Sequence, residues 1–326
     1  MRSILLSILT AVLLTGCVDD APHDNPLDPE SPGYSVQGSL TGVVRIAGQT
    51  TAVAGAAVLD TDAGVSVTTD SLGHFRFNDV AAGTHRFVCT KEHFTPDTFL
   101  VEIPDRASVH VVRGMNAAPV TVSRSILTRK IDQYFPSPQY YVEIAAAVTD
   151  PNSITDLDSV WFGVDTIRYP LGYSVPDTRF IGTIYKYQLP TNTIQWLVGR
   201  ALTIVARDKQ GAVSVSEPFF VTRVIEQTAV PIASNTDSLA SGFDLKWSPP
   251  DVTFTYTYTV ALSRVDGGVA TLIRTYPGID SFNEKLSYPA DAADVPLAQG
   301  AYVWSVTVVD EFGNSARSKE SSFTVK

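Results

Sequence analysis

An apolar stretch opens the chain. From Ile4 to Leu14 only Ser7 and Thr10 interrupt it, and Arg2 is the single charge ahead of it. The run is too short to span a bilayer as a helix, and a short apolar core behind a basic residue is the pattern of an export signal. The pattern then inverts. Residues 18–35, VDDAPHDNPLDPESPGYS, carry Asp19, Asp20, Asp24, Asp28 and Glu30 with Pro22, Pro26, Pro29 and Pro32, and no Lys or Arg. Such a segment cannot bury a core and predicts an extended, disordered tether. Past residue 35 the apolar period becomes two. Short runs rich in Val, Thr, Ile, Tyr and Phe recur between Gly, Pro, Asp and Asn, and no stretch shows the 3.6-residue period of an amphipathic helix. Three strand-rich segments follow, 36–113, 117–225 and 226–326. In the first, Val43–Ile46, Val53–Val58 and His85–Cys89 read as strands, and Thr68–Phe77 as a hairpin turning at Asp70–Gly73. In the second, Tyr140–Thr149, Val160–Val164 and Ala201–Arg207 read as strands. In the third, Phe243, Leu245 and Trp247 alternate on one face, as do Tyr256, Tyr258, Val260 and Leu262. Asp208–Gly211 and Asp310–Gly313 read as the tight turn of a last hairpin in their segments.

Four local motifs carry family resemblances. Leu14-Thr15-Gly16-Cys17 resembles the lipobox of bacterial lipoproteins, which implies a signal peptide of residues 1–16, a lipidated Cys17 and a tether over 17–35. Val18, not Asp, follows the Cys, which by the same resemblance favours the outer membrane, at the cell surface or on the periplasmic face. Segment 36–113 holds Gly42-x-Val44, Ala54-Gly55-Ala56, Thr69-Asp70-x-x-Gly73-x-Phe75-x-Phe77 and Val80-x-x-Gly83. It resembles the carboxypeptidase regulatory-like domain, a transthyretin-like sandwich of seven strands, and departs from it at His85, where an aromatic is usual. Segment 117–225 resembles bacterial immunoglobulin-like domains through its strand order and Val148-Thr149-Asp150-Pro151-Asn152…Asp156-x-Asp158-Ser159-Val160. Segment 226–326 resembles a fibronectin type III domain: Leu297-x-x-Gly300-x-Tyr302 matches its tyrosine corner, and Trp247 its core tryptophan. The implied fold is all-β, three tandem sandwiches of immunoglobulin-like and transthyretin-like type behind a signal peptide and a tether.

Composition narrows the chemistry. With 44% hydrophobic and 18% charged residues the 326-residue chain can build cores, and a net charge of −10 argues against a nucleic-acid partner. Two cysteines provide neither a disulfide framework nor a four-thiolate zinc site. Cys89 reads as a small buried hydrophobe, and His74, His85, His93 and His110 match no ligand spacing. There is no G-x-S-x-G, H-E-x-x-H or phosphate loop, so no enzyme is expected, although paired carboxylates of a hydrolase are not visible in a sequence. Two clusters remain as candidate sites. Asp150, Asn152, Asp156 and Asp158 offer oxygen at short spacing, as calcium requires; the same residues also suit a hydrogen-bonded turn. Tyr134, Tyr140, Tyr141, Trp161, Tyr169, Tyr173, Tyr185, Tyr187 and Trp196 would make a sugar-stacking platform if exposed on the insertion-like stretch 165–195, or pack the sandwich if not. The expected role is display: a membrane-anchored protein holding a protein- or glycan-binding surface away from the bilayer, alternatively as the glycan-binding accessory of a polysaccharide-uptake system.

Overall fold

The structure, a computed structural model, describes residues 25, 28, 30, 31, 36–134, 137–233 and 242–326. The opening apolar run, Cys17 and most of the tether lie outside the described residues. The chain forms two compact units, one ending at Asn116 and one running from Ala117 to Lys326. Strands dominate both, and among the described residues the only helical pieces are three short 3-10 turns. No helix among them is long and apolar enough to cross a membrane.

The first unit holds seven strands: β1 (Gly38–Ile46), β2 (Ala57–Asp60), β3 (Val65–Thr68), β4 (His74–Val80), β5 (Gly83–Thr90), β6 (Asp97–Ile103) and β7 (Ser108–Met115). They form two sheets, β4-β1-β7 and β3-β2-β5-β6, with β1 and β7 parallel. Alternation drives the packing. Phe75 and Phe77 of β4 point inward, as do Phe87 and Cys89 of β5, and they close one core with Leu40, Val44 and Ile103. Gly42 lets β1 pass that core, since a Cβ there would sit 2.5 Å from the Phe75 ring. Two expectations are corrected. The strand expected from Val53 begins only at Ala57, after a turn at Ala54-Gly55. The Asp70–Gly73 turn is not a hairpin turn: β3 pairs with β2, and β4 pairs with β1 in the other sheet. The turn carries the chain across the sandwich, because inward-facing Phe75 and Phe77 complete the sheet opposite β2.

The second unit holds β8 (Val120–Ile131), β9 (Gln139–Thr149), β10 (Leu157–Val164), β11 (Ile167–Ser174), β12 (Arg179–Tyr185), β13 (Leu202–Asp208), β14 (Val213–Val215), β15 (Val230–Ile232), β16 (Phe243–Ser248), β17 (Tyr256–Asp266), β18 (Val269–Asp280), β19 (Lys285–Tyr288), β20 (Gly300–Asp310), β21 (Ser315–Arg317) and β22 (Ser321–Val325). One sheet runs β14-β13-β10-β11-β12-β9-β8-β21-β20-β17-β18, with β22 also on β20. It folds on itself at β11. Ile167–Leu171 pairs with β10, whereas Gly172–Ser174 pairs with β12, so one strand serves both layers of a sandwich. A glycine at the change of partner suits such a corner. Most of the stretch expected as insertion-like, 165–195, is therefore integral sheet, through Ile167–Ser174 and Arg179–Tyr185, and its end runs through 3-10 turns. Its core gathers Val142, Ile144, Phe162, Leu197 and Ile204.

The sheet then continues through β8, whose Arg129–Ile131 pairs in parallel with β21. Beyond it, β20, β17 and β18 cover a second core around Trp247, Tyr258, Tyr302 and Trp304, closed by the small sheet β15-β16-β19. Tyr302 is buried and its hydroxyl donates to the Ala298 carbonyl at 2.6 Å, the bond of a tyrosine corner. The Asp208–Gly211 and Asp310–Gly313 turns both close true hairpins, with φ of 95° at Gly211 and 86° at Gly313.

Candidate functional site

β8, β9 and β12 present one face to the core and the other outward. On β9 the even-numbered residues from Val142 to Val148 are buried, so Tyr141, Glu143, Ala145 and Ala147 face out. Register places them in rows: Arg129–Tyr141–Tyr185, Leu127–Glu143–Thr183 and Ser125–Ala145–Ile181. The short side chains of Ser125 and Ala145 leave a groove of about 540 Å³, bordered by Leu127, Ile181, Asp177 and Arg179. Tyrosines stand at one end. Tyr141 and Tyr185 have ring centroids 5.5 Å apart, and Tyr187 stacks on Tyr185 at 5.5 Å with an 8° interplanar angle. Tyr187 is exposed over 70% of its surface. Burial, and then the neighbouring Glu143 charge, raises the Tyr141 hydroxyl above its ordinary pKa, so it remains a donor at neutral pH. The groove's carboxylates are engaged: Glu143 pairs with the Arg129 guanidinium at 2.8 Å, and Asp177 accepts the Ser174 hydroxyl at 2.6 Å.

Of the nine aromatic candidates, three form this ladder. Tyr140, Tyr169 and Trp196 pack against the core, and the Tyr140 hydroxyl donates to Glu226 at 2.8 Å. Tyr173 pairs with Phe180, Trp161 lies under Arg168, and Tyr134 lies under Lys319. Strand parity separates Tyr141 from Tyr140, and that signal is present in the alternation of 139–149.

The acidic candidates divide as well. A 3-10 turn, Ile154–Asp156, capped by Ser153, leads into β10. Asp150 and Asp156 converge, and the third member is Asp208 at the end of β13; one carboxylate oxygen of each lies within 4.8 Å of the others. Asp158 is excluded. It sits on the outward side of β10 with its Oδ2 3.5 Å from Arg207 Nε and accepting from Ser159 Oγ. Asn152 is also committed elsewhere, since its Oδ1 accepts the Ala117 amide at 2.9 Å. Asp208 stands fifty-two residues from Asp156 and reads locally as a turn residue, accepting the Ala212 amide at 2.8 Å. Asp150 is 7% exposed; its Oδ1 takes the Asn152 amide at 2.7 Å, and its buried Oδ2 meets no hydrogen-bond partner. Burial holds its carboxyl above the usual range, the Asn152 amide acts against that, and the charges of Asp156 and Asp208 add to the rise.

In the first unit Asp60, Asp62 and His85 also lie together. His85 is a structural residue there, with Nδ1 2.9 Å from Asp60 Oδ2 and Nε2 3.0 Å from the Ala81 carbonyl. Asp60 Oδ1 accepts the amides of Asp62 and Ala63, and Asp62 Oδ2 accepts that of Arg86. Cys89 is buried, and burial, with Asp97 adding to it, pushes its thiol up to about 11.

No protein-family model matches the sequence, and no curated protein matches it. Among solved structures the chain is similar to BcpA, the major pilin subunit of Bacillus cereus, at 13% identity over 89% of this chain and 95% of that one, with a TM-score of 0.29. It is similar to the fibronectin(III)-like modules of Clostridium thermocellum CbhA at 15% identity over 63% and 94%, with a TM-score of 0.29. For the FN1–FN3 domains of chicken CNTN1 the identity is 8% over 90% and 99%, with a TM-score of 0.31.

Proposed function

We propose that this chain is a non-catalytic, lipid-anchored protein of the bacterial outer membrane whose outward β8–β9–β12 groove binds an extended glycan. The carrying observation is the groove itself: about 540 Å³ lined by both apolar and polar side chains, with a row of three tyrosines at one end, two of them stacked, and paired charges alongside. Sugar rings offer apolar faces to aromatic rings and hydroxyls to carboxylates and guanidinium groups, and this face has both partners in reach of one another. Glu143 and Asp177 are held by Arg129 and Ser174, which suits recognition better than proton transfer. The anchor rests on the Leu14–Cys17 motif.

Calorimetry of the protein against a panel of oligosaccharides tests the groove. At least one should bind, and Tyr187→Ala should weaken it about tenfold or more, as truncation of an aromatic anchor does, with an unchanged circular dichroism spectrum. Equal affinity in the variant would remove the groove from the account. The anchor is tested separately by detergent-phase partition of whole cells. The parent should enter the detergent phase and Cys17→Ser the aqueous phase; a Cys17→Ser protein that stays in detergent is not held by that cysteine.

A further inference from the structure

We infer that Asp150, Asp156 and Asp208 form a binding site for a single calcium ion at the end of the β10–β13 layer, apart from the groove. The carboxylate oxygens of the three converge within 4.8 Å of one another, the spacing at which one cation can touch all three. Convergence alone proves little, because surface acids often gather without a metal. The deciding feature is Asp150, which is 7% exposed and keeps one buried oxygen, Oδ2, with no hydrogen-bond partner. A buried charged acceptor left unmatched is among the more costly states a side chain adopts, and a cation relieves it.

The protein contains its own comparison. Asp310 occupies the same turn in the next sandwich. Asp208 takes the Ala212 amide on Oδ1, and Asp310 takes the Asn314 amide on Oδ1, both at 2.8 Å. There the second oxygen meets a cation, with Arg223 Nη1 3.1 Å from Asp310 Oδ2. Near the Asp208 turn stand two further carboxylates, those of Asp150 and Asp156. Lys209, the adjacent base, places its ammonium on the Thr155 carbonyl. Among the described residues neither Asp150 nor Asp156 makes an ion pair with Lys or Arg.

Donor chemistry selects the ion. The three residues offer only carboxylate oxygen, with no imidazole or thiolate, which suits a hard cation. Calcium takes six to eight oxygens in irregular arrangements and completes its shell with water, and Asp156 is exposed enough to admit it. Gln210 Nε2 lies 3.1 Å from Asp156 Oδ2, and a half-turn of its amide offers the oxygen as a further ligand.

The test uses the full chain carrying Cys17→Ser, stripped with chelator and then titrated with calcium chloride in a calorimeter and in thermal melts. One site should appear, with affinity on the order of 10⁻⁴ to 10⁻³ M or tighter, as in extracellular modules. Calcium should raise the melting temperature by several degrees, and Asp156→Asn and Asp150→Asn should each abolish the heat and the shift. Asp158→Asn should keep both, because that residue lies outside the cluster. Asp156 is the primary variant, since it is half-exposed and its loss leaves the buried pair in place. No heat and no shift at millimolar calcium would overturn the assignment. So would a response that survives both Asp156→Asn and Asp150→Asn.

Discussion

Two buried residues, Tyr302 and Cys89, show how this protein handles a hydroxyl and a thiol away from water. Tyr302 is 1% exposed and gives its hydroxyl to the Ala298 carbonyl. Tyr302→Phe keeps the ring and leaves a carbonyl unmatched, so it should lower unfolding free energy by about 1 kcal/mol in urea titration. Cys89 is completely buried with its thiol held up to about 11, so almost none of it is thiolate at pH 8. In the Cys17→Ser chain it should not react with a disulfide reagent at pH 8 until denaturant is added; fast reaction in the folded protein would mean that β5 opens. Much at this scale was legible in the sequence: Tyr302, Trp247 and Cys89 hold the roles their motifs and strand parity imply. The acidic site was half legible. Asp150 and Asp156 share a local phrase, but Asp208 joins them only because β13 pairs with β10, and Asp158 leaves because the register shifts between Leu157 and Ser159, which takes it off the inward side of Val160 and Phe162 and leaves it beside Arg207. Spacing along the chain carries neither fact.

At the scale of elements, alternation located strands well and their partners poorly. Tyr140–Thr149 and Val160–Val164 were expected and lie within β9 and β10. The Asp70–Gly73 turn shows what was missed. Its residues are those of a hairpin turn, and its local bonds, Gly73 amide to Asp70 carbonyl and Asp70 Oδ1 to the Leu72 and His74 amides, are turn bonds. Which sheet takes the outgoing strand is decided by where Phe75 and Phe77 find a core, and that is not a local property. Gly73 is the position this crossing depends on. Its φ is +76°, and a Cβ would lie 2.4 Å from the Val44 carbonyl oxygen. Gly73→Ala therefore combines left-handed strain with a backbone clash and should lower stability by about 1–3 kcal/mol in chemical denaturation. Gly48→Ala, at φ +76° with open space around it, should cost less. Equal costs at the two positions would mean that β1 shifts to relieve the contact.

For the molecule as a whole, the least expected feature is that the second and third cores share a sheet. In the parallel pair β8–β21, Lys130 stands opposite Ala316, whose side chain is in the third core, while Ile126 of the same β8 face packs against the second. Both cores therefore lie on one side of a continuous layer. Polar groups fix the junction. The buried Thr128 donates its amide to Asn314 Oδ1 at 2.9 Å and its hydroxyl to the Arg223 carbonyl at 3.0 Å. Arg223 pairs with the buried Asp310 and with Glu311 and lies 4.2 Å from the Phe254 ring centre. Lys130 donates to the Glu226 carbonyl, and Thr228 to Asp132. A chain segment so tied is no flexible linker, so residues 117–326 should unfold in one calorimetric transition. Arg223→Ala strips a buried carboxylate of its cation and cuts the main ionic tie across the junction. It should lower stability by about 1–3 kcal/mol, and the transition should split in two as the cores melt separately. Arg223→Lys, which keeps the charge and loses the planar guanidinium over the Phe254 ring, should keep one transition at a lower temperature. Two transitions already present in the parent would show that the shared sheet is too weak to couple the cores. The groove lies on β8, β9 and β12, the part of this layer nearest the junction, so a coupled pair of sandwiches also holds its rows in register against the strand beside them. Loss of coupling in Arg223→Ala should then weaken any saccharide bound at the groove, although Arg223 does not line it.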